Sequence, residues 1–132
     1  MKPSPETEAS RWRRQAEQDL DDGAYSLAGD RFHLACFLAQ QSAEKALKAA
    51  LYARGAETAW GHSVAQLCDD LAELDSRWQE LKAKVAFLDR YYIPTRYPNG
   101  LPGGIPAEAF RRQDAEEALA AARALLASLQ SA

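Results

Sequence analysis

Arginine and tyrosine side chains are concentrated in one proline-rich stretch of this sequence. The stretch DRYYIPTRYPNGLPGGIP, residues 89–106, contains four of the six prolines, three of the seven glycines and three of the five tyrosines. Arginine has a planar fork of donors that matches phosphate or carboxylate, and tyrosine can stack on a nucleobase. Arg96 and Tyr97, within the run TRYP, therefore predict a patch that contacts a nucleotide.

Prolines also restrict the backbone of this stretch. Four of its residues precede a proline and are pushed towards extended geometry: Ile93, Tyr97, Leu101 and Ile105. We therefore expect residues 91–106 to form a semi-rigid extended strap, on which side chains lose less conformational entropy on binding than on a flexible loop. The alternative is that this segment only covers the rest of the fold, with its tyrosines packed and its arginines paired with carboxylates.

The charge of the chain restricts the class of partner. The net charge is -3, whereas domains that bind nucleic acid generally are strongly basic. Residues 77–112 have seven basic and three acidic side chains, a balance of +4, and residues 1–30 have a balance of -3. The 91–106 segment lies in the positive part of the chain, which favours a local anion site over a broad nucleic-acid footprint.

The length and composition are typical of one soluble domain. The 132 residues are 47% hydrophobic and 27% charged, which is enough for a core of ordinary size. The longest apolar run, residues 34–39, is far shorter than the roughly 20 residues of a membrane span. The N-terminal residues lack the apolar region of a signal peptide. We expect a single domain over residues 1–132, a cytoplasmic location and no membrane partner.

The rest of the chain has the apolar spacing of amphipathic helices. Ser4, followed by proline, is predicted to cap a first helix that ends near Gly29. Asp30 is predicted to cap a second helix that runs to about Arg54, with Gly55 as its stop signal. This second helix is apolar over most of its circumference, so it is either central in the fold or used in self-association.

Three further helices complete the predicted fold. Their predicted starts are Ser63, about Ser76, and Ala107 or Gln113. The run from Ser63 to Gln66 matches a capping box and predicts one at this start. The fourth helix must end before Pro94, and the last one runs to Leu129. Because no strand pattern competes, we predict an all-α, up-and-down bundle of four to five helices.

The cysteines and histidines do not predict a metal site. Cys36 and Cys68 fall on apolar helix faces without a CxxC or Cys/His ligand spacing, which favours buried free thiols over a disulfide or a metal ligand. His33 and His62 are isolated in the sequence. We predict neither a metal nor a cofactor.

Three segments occur in an order that resembles the HEPN domain family. They are ACFLAQQSAEKALKAAL (35–51), WGHSVAQL (60–67) and LDRYYIPTRYPNG (88–100), and YYIPTRYP is the most specific piece. The resemblance covers about residues 12–129. It implies a bundle of four to five helices that generally forms a homodimer. It also implies a minimal nucleotidyltransferase as partner, in a toxin–antitoxin-like pair.

Many members of this family are ribonucleases with an arginine followed by a histidine after four to six residues. After Arg90, and again after Arg96, no histidine stands at those places. His62 follows Arg54 after seven residues, outside that window. Without this histidine, metal-free RNA cleavage lacks its usual acid–base partner. We therefore assign no catalytic residue.

The resemblance supplies candidate ligand-binding residues. Those in or beside the RYP motif are Arg96, Tyr97, Pro98, Tyr92 and Arg90, and those outside it are Lys45, Lys48 and His62. Alternative roles stay open for the second group. Glu44 and Lys48 have the spacing of an ordinary surface ion pair, and His62 precedes the capping Ser63. Trp60 and Trp78 are predicted to be core or dimer-interface residues rather than binding platforms.

Three functions are compatible with these observations. The first is a non-catalytic helical module that binds a nucleotide or nucleic acid and acts with a minimal nucleotidyltransferase. The second is a divergent, metal-independent endoribonuclease that uses Arg90 or Arg96 with a base other than histidine. The third is a structural or interaction dimer without a ligand. The first is our prediction.

Overall fold

Helices make up most of the chain. The computed structural model describes residues 3–130, and of Gln130 the backbone only. The α-helices in this range are α1 (Pro5–Ala28), α2 (Phe32–Ala53), α3 (Val64–Ala72), α4 (Trp78–Val85), α5 (Pro106–Ala109) and α6 (Arg112–Gln130). Two 3₁₀ helices, Ala86–Tyr91 and Pro98–Gly100, lie between α4 and α5. No strand occurs between residues 3 and 130, so the predicted all-α bundle is confirmed.

The central element is α2. It packs against α1, α3, α5, α6 and the first 3₁₀ helix, as its wide apolar surface allows. Alanines line much of its buried surface, namely Ala35, Ala39, Ala43, Ala46, Ala49 and Ala50. Small side chains let neighbouring helices approach closely. The hydroxyl of Ser42 reaches α1 and donates a hydrogen bond of 2.7 Å to the carbonyl oxygen of Ala16.

Two serine caps and one glycine stop lie where the sequence predicts them. The side chains of Ser4 and Ser63 each accept a hydrogen bond from the backbone N–H three residues later, at 3.1 Å. The capping box of α3 is incomplete, because the Gln66 amide donates to Asp70 instead of reaching back to the cap. Gly55 follows the end of α2 with φ = 93°, a left-handed conformation that favours glycine.

The predicted cap of α2 is wrong. Asp30 has φ = 59°, and the N-cap position is taken by Arg31, whose side chain makes no capping hydrogen bond. The carboxylate of Asp30 pairs with the guanidinium of Arg112 at the start of α6. The long-range ion pair and the tight turn after Gly29 thus place Asp30 outside the capping geometry.

The fourth and last predicted helices are each divided. The fourth is α-helical only to Val85 and continues as a 3₁₀ helix to Tyr91, so it does end before Pro94. At the C-terminus, the one-turn α5 is separated from α6 by Phe110 and Arg111. The two predicted starts of the last helix, Ala107 and Gln113, lie one residue inside α5 and α6, respectively.

The 91–106 segment is only partly extended. Tyr97, Leu101 and Ile105 have extended φ and ψ angles, as residues before proline should. Between them the chain turns, since the backbone N–H groups of Arg96 and Tyr97 both donate to the carbonyl oxygen of Ile93, at 3.0 and 3.1 Å. A proline restricts its own φ angle and the residue before it, so the other residues of the segment remain free to form turns and a short 3₁₀ helix.

The segment is nevertheless anchored. Thr95 is 2% exposed and its hydroxyl donates to the carbonyl oxygen of Tyr91 at 2.5 Å. A Cβ atom on Gly100 would lie 3.0 Å from the Cα of Pro94, so this part of the chain folds tightly on itself. None of the helices between residues 3 and 130 is long and apolar enough to cross a membrane.

Candidate functional site

Arg96 lies among three aromatic rings. Its guanidinium carbon is 4.5 Å from the ring centroid of Phe37, 4.6 Å from that of Tyr92 and 5.0 Å from that of Tyr97. Its Nε donates to the carbonyl oxygen of Tyr92 at 2.8 Å. Phe37 belongs to α2, whereas the other residues follow the first 3₁₀ helix, so the tertiary fold brings them together.

His62 joins this group through Tyr92. The two rings stack at a centroid distance of 4.8 Å and an interplanar angle of 18°. We call Arg96, Phe37, Tyr92, Tyr97 and His62 the Arg96 cluster. Of the candidates predicted from the sequence, Arg96, Tyr97, Tyr92 and His62 therefore meet in space, and Phe37 is an addition. Phe37 is one of the residues that widen the apolar surface of α2 beyond a single stripe, and the sequence contained no signal that it would contact Arg96.

Beneath His62 lies a buried carboxylate. Glu44 is 3% exposed, and both of its oxygens lie 3.3 Å from Nδ1 of His62. The same carboxylate accepts from Lys48 Nζ at 3.1 Å and from the amides of Gln40 and Gln41 at 3.4 Å. We call these five residues the Glu44 network.

The Glu44–Lys48 pair is not the surface pair that its spacing predicts. Lys48 is 6% exposed, and its Nζ lies over the ring of Trp12 at 5.4 Å from the centroid. A buried carboxylate is costly unless it is paired and hydrogen-bonded. Lys48 supplies the opposite charge, so its role in this structure is to neutralise Glu44 beneath the Arg96 cluster.

The network also fixes the position of His62. Besides the contact of its ring with Glu44, its carbonyl oxygen accepts from the side-chain amide of Gln40 at 2.9 Å. Gln40 is fully buried, so this bond ties the loop before α3 to the centre of α2. In this structure His62 is therefore held by contacts with α2, and 59% of its side chain remains exposed.

Asp89 anchors the other side of this loop. Its carboxylate accepts from the Ser63 hydroxyl at 2.7 Å and from the backbone N–H groups of Val64 and Ala65, at 2.6 and 3.2 Å. A carboxylate at a helix N-terminus satisfies N–H groups that have no partner within the helix. Sequence reasoning did not find this residue, because it lies about 25 positions from the helix it caps.

Three of the predicted candidates lie apart from the cluster. Lys45 forms an ion pair of 2.5 Å with the buried Asp19 of α1. Arg90 is exposed and lies over the ring of Phe87 at 6.0 Å, without a described contact to the cluster. Pro98 begins the second 3₁₀ helix and is exposed.

The tryptophans differ from each other. Trp78 is 1% exposed, as expected for a core residue. Trp60 is 81% exposed, so it does not belong to the core, and its alternative assignment to a dimer interface stays a prediction. Its backbone is held on both sides, because the N–H of Ala59 donates to the hydroxyl of Tyr52 at 3.3 Å and His62 is bound to Gln40. The exposed indole of Trp60 therefore belongs to a residue two positions along the chain from His62, a member of the Arg96 cluster.

The cysteines form no site. Both are fully buried free thiols, which confirms the prediction. Burial raises the pKa of Cys36 and that of Cys68 to about 12, so both stay protonated near neutral pH and are poor nucleophiles. Burial together with the charge of Arg31 lowers the pKa of His33. Residues 3–130 contain no group of three His, Cys, Asp or Glu side chains that could hold a metal ion.

A protein-family model and the solved structures similar to this chain point to the same family. The sequence matches the HEPN domain family over residues 9–131. Among solved structures, TT1696 from Thermus thermophilus is similar, with 43% identity, a TM-score of 0.86 and coverage of 93% of this chain and 96% of that one. ST0689, an archaeal HEPN homologue, has 36% identity, a TM-score of 0.74 and coverage of 93% and 95%. No curated protein matches the sequence.

Proposed function

This chain belongs to the HEPN domain family, and we propose that it is a non-catalytic module that binds a nucleotide or a segment of nucleic acid at the Arg96 cluster. The single observation that carries this proposal is the geometry of Arg96. Its guanidinium is held by three rings and by one hydrogen bond from Nε. Neither of its two terminal nitrogens has a hydrogen-bond or ion-pair partner among residues 3–130.

Such an arginine is prepared for an anion. Its terminal N–H groups present a fork that matches two oxygens of a phosphate. Because its side chain is already ordered, little conformational entropy is lost on binding. No carboxylate among residues 3–130 forms an ion pair with it, and the carboxylate of the neighbouring network, Glu44, is paired with Lys48.

Aromatic side chains beside the arginine suit a nucleobase. Tyr97 is 50% exposed, so one part of its ring is free to stack while the other part contacts Arg96. The exposed Trp60 offers a second indole face near His62. Base stacking on aromatic side chains contributes about 1–3 kcal/mol per base. Phosphate binding by Arg96 and stacking on Tyr97 together favour a nucleotide over a simple inorganic anion.

A minimal nucleotidyltransferase is the proposed protein partner. This part of the proposal rests on the family resemblance of the sequence, in which such enzymes are paired with small helical domains. In this arrangement the Arg96 cluster would present a nucleotide or nucleic-acid end to the transferase, as one half of a toxin–antitoxin-like pair.

The proposal is tested by calorimetric titration with a panel of nucleoside triphosphates. We expect saturable binding by the wild type and a loss of roughly 10- to 100-fold in affinity for Arg96→Ala, the worth of charge-assisted hydrogen bonds. Arg96→Lys should be intermediate, because lysine keeps the charge but not the planar fork.

Arg90→Ala is the matched control. Arg90 is also exposed and also lies over an aromatic ring, but it is outside the cluster, so its removal should leave affinity unchanged. Equal affinity of Arg96→Ala and wild type, with both folded, contradicts the proposal. Binding that requires an added nucleotidyltransferase would place the ligand site at the junction of the two proteins instead.

A metal-independent endoribonuclease is the second candidate, and one observation favours a version of it in which His62 replaces the non-histidine base considered from the sequence. The arginine–histidine pair that is missing along the sequence is approached in space, since His62 and Arg96 both contact the ring of Tyr92. Nδ1 of His62 faces Glu44, which leaves Nε2 for substrate. His62 could take the proton of a 2′-hydroxyl as that oxygen attacks the adjacent phosphorus. The bond between phosphorus and the 5′-oxygen then breaks and that oxygen takes a proton from water, while Arg96 stabilises the charge on the phosphorus oxygens.

This candidate predicts products that are simple to identify. Synthetic RNA incubated with the protein and a chelator should yield a 2′,3′-cyclic phosphate end and a 5′-hydroxyl end. Cleavage should be lost in both His62→Ala and Arg96→Ala. If RNA stays intact in the presence of wild type that binds nucleotides, the binding module stands and the nuclease is excluded.

A further inference from the structure

The side-chain amide of Gln41 is held in one orientation. Its Nε2 donates to Oε1 of Gln40 at 2.8 Å and to Oε1 of Glu44 at 3.4 Å. An amide nitrogen has two hydrogens, so both are used within the Glu44 network. The oxygen of the same amide, Oε1 of Gln41, has no hydrogen-bond partner among residues 3–130.

Groups that can only accept hydrogen bonds impose this orientation. The backbone carbonyl oxygen of His62 accepts from Nε2 of Gln40 at 2.9 Å, and a carbonyl oxygen has no proton to donate. Gln40 must therefore direct its nitrogen at His62, which leaves its own oxygen as the acceptor for Gln41. The Glu44 carboxylate, paired with Lys48, also accepts only. If the Gln41 amide turned over, it would set oxygen against oxygen at both contacts.

The unpaired oxygen lies beside the Arg96 cluster. Gln41 follows Phe37 by four residues on α2, a spacing that places Cβ atoms about 5–6 Å apart, and Phe37 contacts the guanidinium of Arg96. On another side, Nδ1 of His62 lies 3.3 Å from the Glu44 oxygen that Gln41 also contacts. Gln41 therefore adjoins the cluster through two of its members.

The burial of Gln41 makes its oxygen accessible to a ligand. Gln40 and Glu44, which hold the amide nitrogen, are buried, whereas Gln41 itself is only partly buried. The oxygen therefore points away from the interior. A ligand that covers this oxygen without offering a donor leaves an unsatisfied acceptor, which is destabilising.

The other side chains of the cluster cannot distinguish one base from another in this way. Phosphate is common to all nucleotides, and every base has a face that stacks on an aromatic ring such as Tyr97. His62 can exchange a donor for an acceptor by a change of tautomer. The Gln41 oxygen can only accept, so it distinguishes a donor from an acceptor on the edge of a base.

We propose that Gln41 recognises the exocyclic amino group of the bound base, so that the ligand of the Arg96 cluster is an adenine or cytosine nucleotide. These two bases carry an amino group where guanine and uracil carry an oxygen. The inference rests on the proposed function, because it requires a nucleotide bound at the Arg96 cluster. Gln41 is the specificity-determining residue, and Gln40 is a positioning residue that acts through it.

Calorimetric titration of the wild type with matched nucleotides tests the inference. ATP and inosine triphosphate (ITP) differ in having an amino group or an oxygen on the purine ring, and CTP and UTP differ likewise on the pyrimidine ring. We expect ATP to bind about tenfold more tightly than ITP, and CTP about tenfold more tightly than UTP. Equal affinities within both pairs overturn the inference and leave the proposed function intact. No binding of any of the four nucleotides overturns both.

Gln41→Met assigns the preference to this side chain, because methionine is similar in length and has no amide oxygen. The ratio of ATP to ITP affinity should fall from about ten to less than about two, while ITP still binds. Gln18→Met is the matched control. The Gln18 amide also donates to a carboxylate four residues along, that of Asp22 at 2.9 Å, but it lies on α1 and has no contact with the cluster. A wild-type ratio in Gln41→Met would contradict the inference.

Gln40→Met tests how the amide is oriented. It removes the 2.8 Å contact of the Gln41 nitrogen and leaves the longer one to Glu44, so the Gln41 amide can turn over. The ratio of ATP to ITP affinity should then lie between the values for the wild type and Gln41→Met. A merely structural role of Gln40 would weaken ATP and ITP equally. An unchanged ratio in Gln40→Met would therefore overturn the positioning role.

Discussion

Replacing Glu44 with glutamine tests the buried ion pair that supports the site. Glu44 is 3% exposed and Lys48 is 6% exposed, and their charged atoms are 3.1 Å apart. Glu44→Gln keeps the shape of the side chain but leaves the Lys48 ammonium buried without an opposite charge. Breaking a buried pair by removal of one partner costs about 3–5 kcal/mol.

The size of the expected effect depends on what remains around Lys48. Its ammonium still lies over the ring of Trp12 at 5.4 Å, and a desolvated cation–π contact contributes about 2 kcal/mol. We therefore expect the lower end of the range, a loss of about 3 kcal/mol in the free energy of unfolding. For a chain of this size, that corresponds to a decrease of about 10 °C in Tm.

The assay is urea unfolding followed by circular dichroism, with a matched surface pair as control. Glu17 forms a pair with Arg13 at the same four-residue spacing, but both side chains are about half exposed and the atoms are 3.8 Å apart. Glu17→Gln should cost less than about 0.5 kcal/mol. Lys48→Met added to Glu44→Gln should recover part of the loss, since it removes the unpaired charge.

Two results would refute this reasoning. The first is a loss for Glu44→Gln no larger than that for Glu17→Gln, which would mean that water reaches the pair freely. The second is a double variant whose loss of unfolding free energy equals the sum of the losses for Glu44→Gln and Lys48→Met alone. Independent effects add, whereas the effects of two coupled residues do not.

Three further predictions concern stability and reactivity. Asp89→Ala should lower the free energy of unfolding, measured with urea, by about 2 kcal/mol, since three donors lose their acceptor. Asp89→Asn should retain most of the wild-type stability. Equal losses for the two variants would contradict the capping role. Gly23→Ala should lower Tm and leave the helix content unchanged, because the added Cβ would lie 2.7 Å from Leu119; a raised Tm would show that Leu119 moves aside without cost. Burial raises the pKa of Cys36 and Cys68 from 9.0 to about 12, so the folded state holds these protons more tightly. The associated stability is complete below about pH 9 and is lost as the pH rises towards about 12. The urea midpoint should fall over this range, and at about pH 8 a thiol reagent should label the native protein roughly a thousandfold more slowly than the unfolded chain.

Local signals in the sequence determined most of the secondary structure. Ser4, Ser63, Gly55 and Pro94 mark helix ends that the structure confirms, because caps and breakers act through atoms within about four residues of each other. The spacing of apolar residues likewise predicted the all-α bundle and the buried Trp78. Where a local signal failed, at Asp30, the residue lies in a turn with φ = 59° and its carboxylate pairs with Arg112, about 80 positions away.

The candidate site, too, was predicted by the sequence in part and decided by the tertiary structure in part. Its residue types and the stretch that contains Arg96 and Tyr97 were evident from the sequence, since stiff backbone and ring-bearing side chains are local properties. Only the tertiary structure placed Phe37 against Arg96, His62 against Tyr92, and Arg90 outside the group. These distances depend on how α2, the loop before α3 and the turn after the first 3₁₀ helix pack.

Burial of charge was decided entirely by tertiary packing. Glu44 and Lys48 have the same four-residue spacing as the exposed pair Arg13 and Glu17, and the apolar circumference of α2 indicates a central helix without showing that this pair is buried. They are buried because Trp12 of α1 and His62 of the following loop close over that side of α2. Solvent exclusion requires atoms from several elements at once, so a one-dimensional pattern shows which side chains form a pair but not how much water surrounds it.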